Sequence, residues 1–332
     1  MDLATVWFAL IVLCWLLFFV LEGFDFGVGM LAPILGRGNA QRGAAVRTIG
    51  PVWDGNEVWL VAAIGVMFAA FPDWYAALLS GLYLPFVLIL LALAVRGVAL
   101  EFRGKKDDGG WRRRCDVALA SSSLVAAALF GAVFGAFSGG LPLGADGEVA
   151  ATGGALARSL AALGSPAALL GALTGVLLAG LLGATYLSLR TTGPVRERAR
   201  RVAPLCAAAL LVPAGLAVIS GSLPVAGAVA AVGALALVAV LARAGREALA
   251  FAGSALLAAA VTVAILVADY PVLLASSLDP AWSVTLTSAA ASPMALRTIS
   301  IAAIVVLPGV IAYQMFAYWV FRKRVASEPV AT

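Results

Sequence analysis

Two carboxylates, an amide and two indoles fall within Trp53-Asp54-Gly55-Asn56-Glu57-Val58-Trp59, at the head of a hydrophobic run that continues to Ala70. A carboxylate held in hydrocarbon is costly, so an acid kept at such a depth either serves a function or is pinned by a cation. Asp54 and Glu57, at i and i+3, share one helix face. An earlier apolar run carries Glu22 and Asp25, and a later one carries Arg96 and Glu101. These acids, set against one arginine, cannot all be ionised cheaply in a low dielectric. Chains of such acids are the material of intramembrane proton relays. The bland reading is an ion pair between Arg96 and an aspartate that only fixes helix register.

The elements that must position these groups are membrane spans. Of 332 residues, 63% are hydrophobic and 12% charged, whereas soluble domains carry about 45–50% and about 25%. The chain reads as an all-α polytopic membrane protein. A span needs about 20 apolar residues, and nine such runs are present, at 4–34, 48–71, 74–102, 115–137, 164–190, 200–220, 224–243, 247–269 and 297–321. The first run lacks a basic leader and a small-residue cleavage pattern, so it is expected to stay as a span.

Loop charge orients the spans. Arg37, Arg42 and Arg47 follow the first span, Arg103 to Arg114 the third, Arg190 to Arg201 the fifth, Arg243 and Arg246 the seventh, and Arg322, Lys323 and Arg324 the last. The intervening loops lack that excess. This alternation predicts an outside N-terminus and a cytoplasmic C-terminus. It also accounts for the net charge of +5 without a nucleic-acid partner. At about 1.5 Å per residue, Asp25, Asp54, Glu57 and Arg96 then reach similar depth near the inner side, Glu22 lies about a turn deeper, and Glu101 lies closer to the cytoplasm.

The expected organisation is one transmembrane domain, with a first four-helix bundle over 1–138 carrying the polar cluster. A second, mainly structural bundle lies over 160–270, and a last peripheral helix with its cytoplasmic tail over 296–324. No residue-level repeat relates the two bundles. Histidine is absent, and Cys14, Cys115 and Cys206 have no C-x-x-C spacing, so no metal site is expected. The tryptophans mostly fall near span ends, as an aromatic belt would place them; Trp53 and Trp59 are candidates for a quinone or haem contact. The Gly-rich stretch 135–154 has no P-loop Lys-Ser/Thr after it and reads as an outside loop.

Three stretches together resemble subunit II of the cytochrome bd quinol oxidases: Leu21 to Gly29, Gly50 to Leu60, and Arg96-Gly97-Val98-Ala99-Leu100-Glu101-Phe102-Arg103. Tyr270-Pro271, Ala290 to Pro293, Ala312-Tyr313-Gln314 and Tyr318 to Arg324 are similar to the same family's last span and its approach. Between roughly 140 and 265 the likeness is one of hydropathy. At Thr287-Ser288 the chain departs from the family's Tyr-Asn pattern, and the contact of that larger pair does not carry over.

The resemblance implies a respiratory enzyme of the bacterial cytoplasmic membrane that oxidises quinol and reduces dioxygen to water. Turnover would be electrogenic, with oxygen-chemistry protons taken from the cytoplasm. Haems b and d would lie in the partner, subunit I, with none bound by this chain alone. A small single-helix subunit is left open, and lipid and membrane quinol are the other partners implied. Asp25, Asp54 and Arg96 stand where the family's cytoplasmic proton path is placed. Glu57 joins the path, and Glu22 and Glu101 join Arg96's network, on the depth argument alone. A proton-coupled transporter or channel is the alternative. It is disfavoured because polarity is confined to the first three spans, whereas a transporter is expected to break helices in both repeats. A purely scaffolding subunit is the third reading.

Overall fold

The computed structural model describes residues 2–150 and 154–327, and within them the fold is built almost wholly from helices. The first half contains α1 (Leu3–Leu35), α2 (Asn39–Arg47), α3 (Trp53–Ala70), α4 (Pro72–Gly81), α5 (Tyr83–Phe102), α6 (Gly109–Ser138) and α7 (Ala155–Leu163). The second contains α8 (Pro166–Arg190), α9 (Gly193–Ala209), α10 (Leu211–Ile219), α11 (Val225–Arg243), α12 (Glu247–Val267), α13 (Leu286–Ala289) and α14 (Pro293–Val320). A short antiparallel pair, β1 (Val272–Leu274) and β2 (Val284–Thr285), lies between α12 and α13.

Eight helical segments among the described residues are long and apolar enough to cross a membrane: α1, α5, α6, α8, α9 with α10, α11, α12 and α14. The protein is a multi-pass membrane protein. Helix α3 is the one expected span outside this group, because its 18 residues open on Asp54, Asn56 and Glu57. The expected span 74–102 is interrupted at Leu82, between α4 and α5. Pro85 explains the break: it has no N–H for the carbonyl of Gly81, and its ring would collide with that carbonyl in a continuous helix. The expected span 200–220 starts earlier, at Gly193, and steps at Leu210. Helix α6 begins at Gly109, so Arg112 to Arg114 sit on its first turns and not in a loop.

Helix α1 is the central post, packed by α3, α6, α8 and α12. One set of neighbours joins α1, α3, α5 and α6; another joins α8, α9, α11 and α12. The two sets meet along α6–α8 and α1–α8, where glycines let backbones touch, as in lipid-embedded pairs. A Cβ on Gly27 would overlap the carbonyl of Ala179 on α8, and one on Gly131 would overlap the carbonyl of Gly171. Helix α14 lies outside both sets, mainly against α3, and is almost uncovered along its apolar length. At one end, Leu141 bridges to Ser276 and Leu143 to Val149, so residues 139–150 pack onto the β1 region. The Gly-rich stretch thus divides between the end of α6 and this cap, and its residues 151–153 lie outside the described residues.

Candidate functional site

Glu22 and Asp25 lie three residues apart on α1 and are fully buried. That spacing puts both on one face, turned toward Arg96 on α5. The Arg96 side chain is itself fully buried, with Nη1 2.5 Å from Glu22 Oε1 and 3.0 Å from Glu57 Oε1. Its Nη2 lies 3.7 Å from Asp25 Oδ2, and its guanidinium carbon stands 5.2 Å from the centre of the Phe26 ring. One cation therefore serves three carboxylates on two other helices. Among the described residues no other cation lies within ion-pair distance of them.

The hydrogen bonding is incomplete. The Arg96–Glu22 contact has ion-pair distance without hydrogen-bond alignment. Glu22 Oε2, Asp25 Oδ1, Arg96 Nε and Arg96 Nη2 have no hydrogen-bond partner among the described residues. Buried polar atoms left so are costly, and here they gather around one arginine.

A second line of contacts runs to α14. Asn56 Nδ2 donates to Asp25 Oδ2 at 2.7 Å, and the Tyr318 hydroxyl donates to Asn56 Oδ1 at 2.7 Å. The Gln314 amide donates to the carbonyl of Gly55, one residue before Asn56. The otherwise peripheral α14 is thus tied to the site by two polar side chains. Asn56, Gln314 and Tyr318 had no assigned part on sequence grounds; an amide between two acids was the one available signal.

The expected cluster is assembled in part. Asp25, Glu57, Arg96 and Glu22 converge. Asp54 is exposed, outside Arg96's ion-pair reach, and Glu101 is exposed on α5 and joins no ion pair among the described residues. Glu57 stands between, with its side chain 24% exposed. Trp53 is half-buried with its ring over Gly97, and Trp59 is buried. Among the described residues neither makes a side-chain hydrogen bond, and the Nε1 of Trp59 is buried.

Two further charges are buried outside this cluster, Asp116 on α6 and Glu247 on α12. Asp116 takes Arg103 Nε at 2.6 Å and Arg42 Nη1 at 3.2 Å. Glu247 takes Arg196 Nη2 at 2.7 Å and Arg324 Nη2 at 3.1 Å. Their partners lie on other segments, from 13 residues away for Arg103 and Asp116 to 77 for Arg324 and Glu247, so a count of loop charge does not pair them. As for a haem, the chain has no histidine, and no group of three metal-ligating side chains occurs among the described residues.

Comparison with known proteins adds four findings. Residues 3–321 match the family model "Cytochrome bd terminal oxidase subunit II". The chain is 37% identical to cytochrome bd ubiquinol oxidase subunit 2 of Bacillus subtilis, over 99% of both chains. It is 37% identical to cytochrome bd-I ubiquinol oxidase subunit 2 of Escherichia coli K12 over 63% of this chain and 55% of that one. The fold matches a chain in the structure of bd oxidase from Geobacillus thermodenitrificans with a TM-score of 0.70, 19% identity, and coverage of 97% and 100%.

Proposed function

The chain belongs to the cytochrome bd terminal oxidase subunit II family, and on that premise we propose that it supports the haem-bearing subunit of a bacterial quinol oxidase and carries protons toward its oxygen chemistry. The coarse role, a subunit of an oxidoreductase complex, follows from the family. The proton route is our reading of this chain's acids.

One observation carries it: the acids form a graded series in burial. Asp54 is exposed on the first turn of α3, Glu57 one turn on is partly exposed, and Asp25 and Glu22 are sealed in the interior. A static ion-pair lock needs the sealed end alone. A relay needs an entry, an intermediate and a destination, each within reach of the next. Asp54 serves as entry, Glu57 as the intermediate and Asp25 as the inner acceptor, oriented by Asn56. Arg96 supplies the compensating charge that lets a proton leave any one of the three acids it touches. Arg96 with Glu22 also fixes helix register, so the structural reading applies to that pair.

The entry lies beside the basic segment 37–47, which loop charge assigns to the cytoplasm. Haems b and d are placed in the partner subunit, and quinol oxidation with electrogenic reduction of dioxygen to water belongs to the whole complex. The nearly uncovered α14 and the exposed acid on α3 are the features here that fit a partner in the membrane. The Arg96 cluster and its hydrogen-bonded extension draw on α1, α3, α5 and α14, in the first bundle and the last helix and not in both bundles alike, which disfavours the transporter alternative.

The test is Asp54→Asn in the purified complex, reading the haem spectrum and quinol-driven oxygen uptake per haem. Intact haems with uptake reduced by about tenfold or more support the relay. Lost haems would make Asp54 a scaffolding residue, and normal uptake would remove it from the route.

A further inference from the structure

We propose that the groove between α2, the start of α3 and the end of α5 binds the phosphate of an anionic phospholipid. The groove encloses about 400 Å³ and includes Gly43, Val46, Arg47, Trp53, Leu100 and Arg103 in its lining. It lies at the end of the spans that carries the basic segments, where a basic pocket between helices meets phospholipid headgroups.

The charge arrangement points to an anion. Arg103 is locked in place: its Nε donates to Asp116 at 2.6 Å and its Nη2 to Asn39 Oδ1 at 2.9 Å. That leaves Nη1 directed over Gly43, 3.1 Å from where a Cβ would stand. Arg47 brings its own Nη1 to 3.7 Å from the same point. Two guanidinium groups therefore converge over a residue that has no side chain. Asp116 cannot neutralise both, because Arg42 already shares it at 3.2 Å. Arg47 has no carboxylate within ion-pair distance among the described residues, and Glu101 at the rim is paired with neither guanidinium. Like charges brought together repel unless an anion sits between them, and a phosphate accepts from two guanidinium groups at once.

The rest of the lining selects a lipid over free phosphate. Val46, Trp53 and Leu100 give the groove an apolar wall beside the cationic floor, as an amphiphile with a charged head and a hydrocarbon body requires. A free phosphate would have no use for that wall.

The experiment titrates phosphatidylglycerol into the complete complex held in phosphatidylcholine nanodiscs, and counts bound lipid by native mass spectrometry for the unaltered chain and for Arg47→Gln. The expected result is one saturable phosphatidylglycerol that Arg47→Gln weakens by about fivefold and Arg47→Lys weakens less. Haem content should be equal in all three. Equal binding by the unaltered chain and Arg47→Gln would overturn the proposal. So would occupancy by phosphatidylcholine equal to that by phosphatidylglycerol. Displacement of phosphatidylglycerol by inorganic phosphate would overturn the lipid assignment and make this a site for free phosphate.

Discussion

Arg96 Nη1 lies 2.5 Å from Glu22 Oε1 with both side chains fully buried, and the same guanidinium reaches Glu57 and Asp25. Removing one partner from a buried ionic group is far more costly than never having built it, because the remaining charge stays desolvated. Arg96→Gln is therefore expected to destabilise the fold by about 3–5 kcal/mol, seen as loss of assembled complex and a lower melting temperature. Adding Glu22→Gln should restore part of the loss. A single Arg96→Gln variant that assembles and melts normally would show that these acids do not depend on it.

The α1–α8 contact is set by backbone approach. A Cβ on Gly27 would overlap the Ala179 carbonyl and lie 2.6 Å from Gly183 N. Neither atom can move without shifting a helix. Gly27→Ala should therefore cost at least the 1–3 kcal/mol typical of overpacking (about 2 kcal/mol), read as a lower melting temperature. Gly233→Ala, where a Cβ meets nothing within 4 Å, is the control and should be close to neutral. Similar effects from both would place the constraint elsewhere.

Glu247 holds down the tail. Its carboxylate takes Arg196 at 2.7 Å and Arg324 at 3.1 Å. The tail continues with Val325 N donating to the Arg190 carbonyl at 2.8 Å and Thr192 N donating to the Val325 carbonyl at 3.1 Å. Charge-assisted hydrogen bonds contribute about 1.5–3 kcal/mol, and the half-exposed Arg324 argues for the lower end. Glu247→Gln should speed tryptic cleavage around Arg322 to Arg324 by roughly tenfold. Unchanged cleavage would mean that the backbone contacts alone suffice.

Outside the membrane, Asp108 caps α6. It accepts from Gly110 N and Trp111 N, both at 3.0 Å. These bonds, that from Gly110 foremost, hold its carboxyl below its ordinary value of 3.8. A carboxyl lower in the folded state stabilises it above the unfolded value, and the effect is lost as pH falls through the folded one. The melting-temperature gap between the unaltered chain and Asp108→Ala should therefore be steady above pH 3.8 and shrink below it. A gap that ignores pH would show that the cap does not depend on the carboxylate's charge.

How much of the site was legible follows from helix geometry. Glu22 and Asp25 were readable as neighbours because three residues apart on one helix leaves them on one face. Their depth, and that of Arg96, followed from the hydrophobic runs. Asp54 and Glu57 have the same spacing, yet the roughly 60° between them straddles the edge of the packed face of α3. One is exposed and the other reaches Arg96. Glu101 is five residues from Arg96, about 140° around α5, and so points away from the cluster. The sequence located these acids in depth but not in azimuth.

The sequence by itself determined that the chain is a multi-pass membrane protein and which helices carry its polar groups, because hydropathy and loop charge are sums over local residues. Only the tertiary structure decided which acids meet Arg96, that Asn56 links Asp25 to Tyr318, and that Asp116 and Glu247 are interior. Those contacts join residues on different helices, 262 positions apart for Asn56 and Tyr318. They depend on the rotation of each helix about its axis. That rotation is set by packing, above all by the glycines through which α1 and α6 touch α8, and no single segment specifies it.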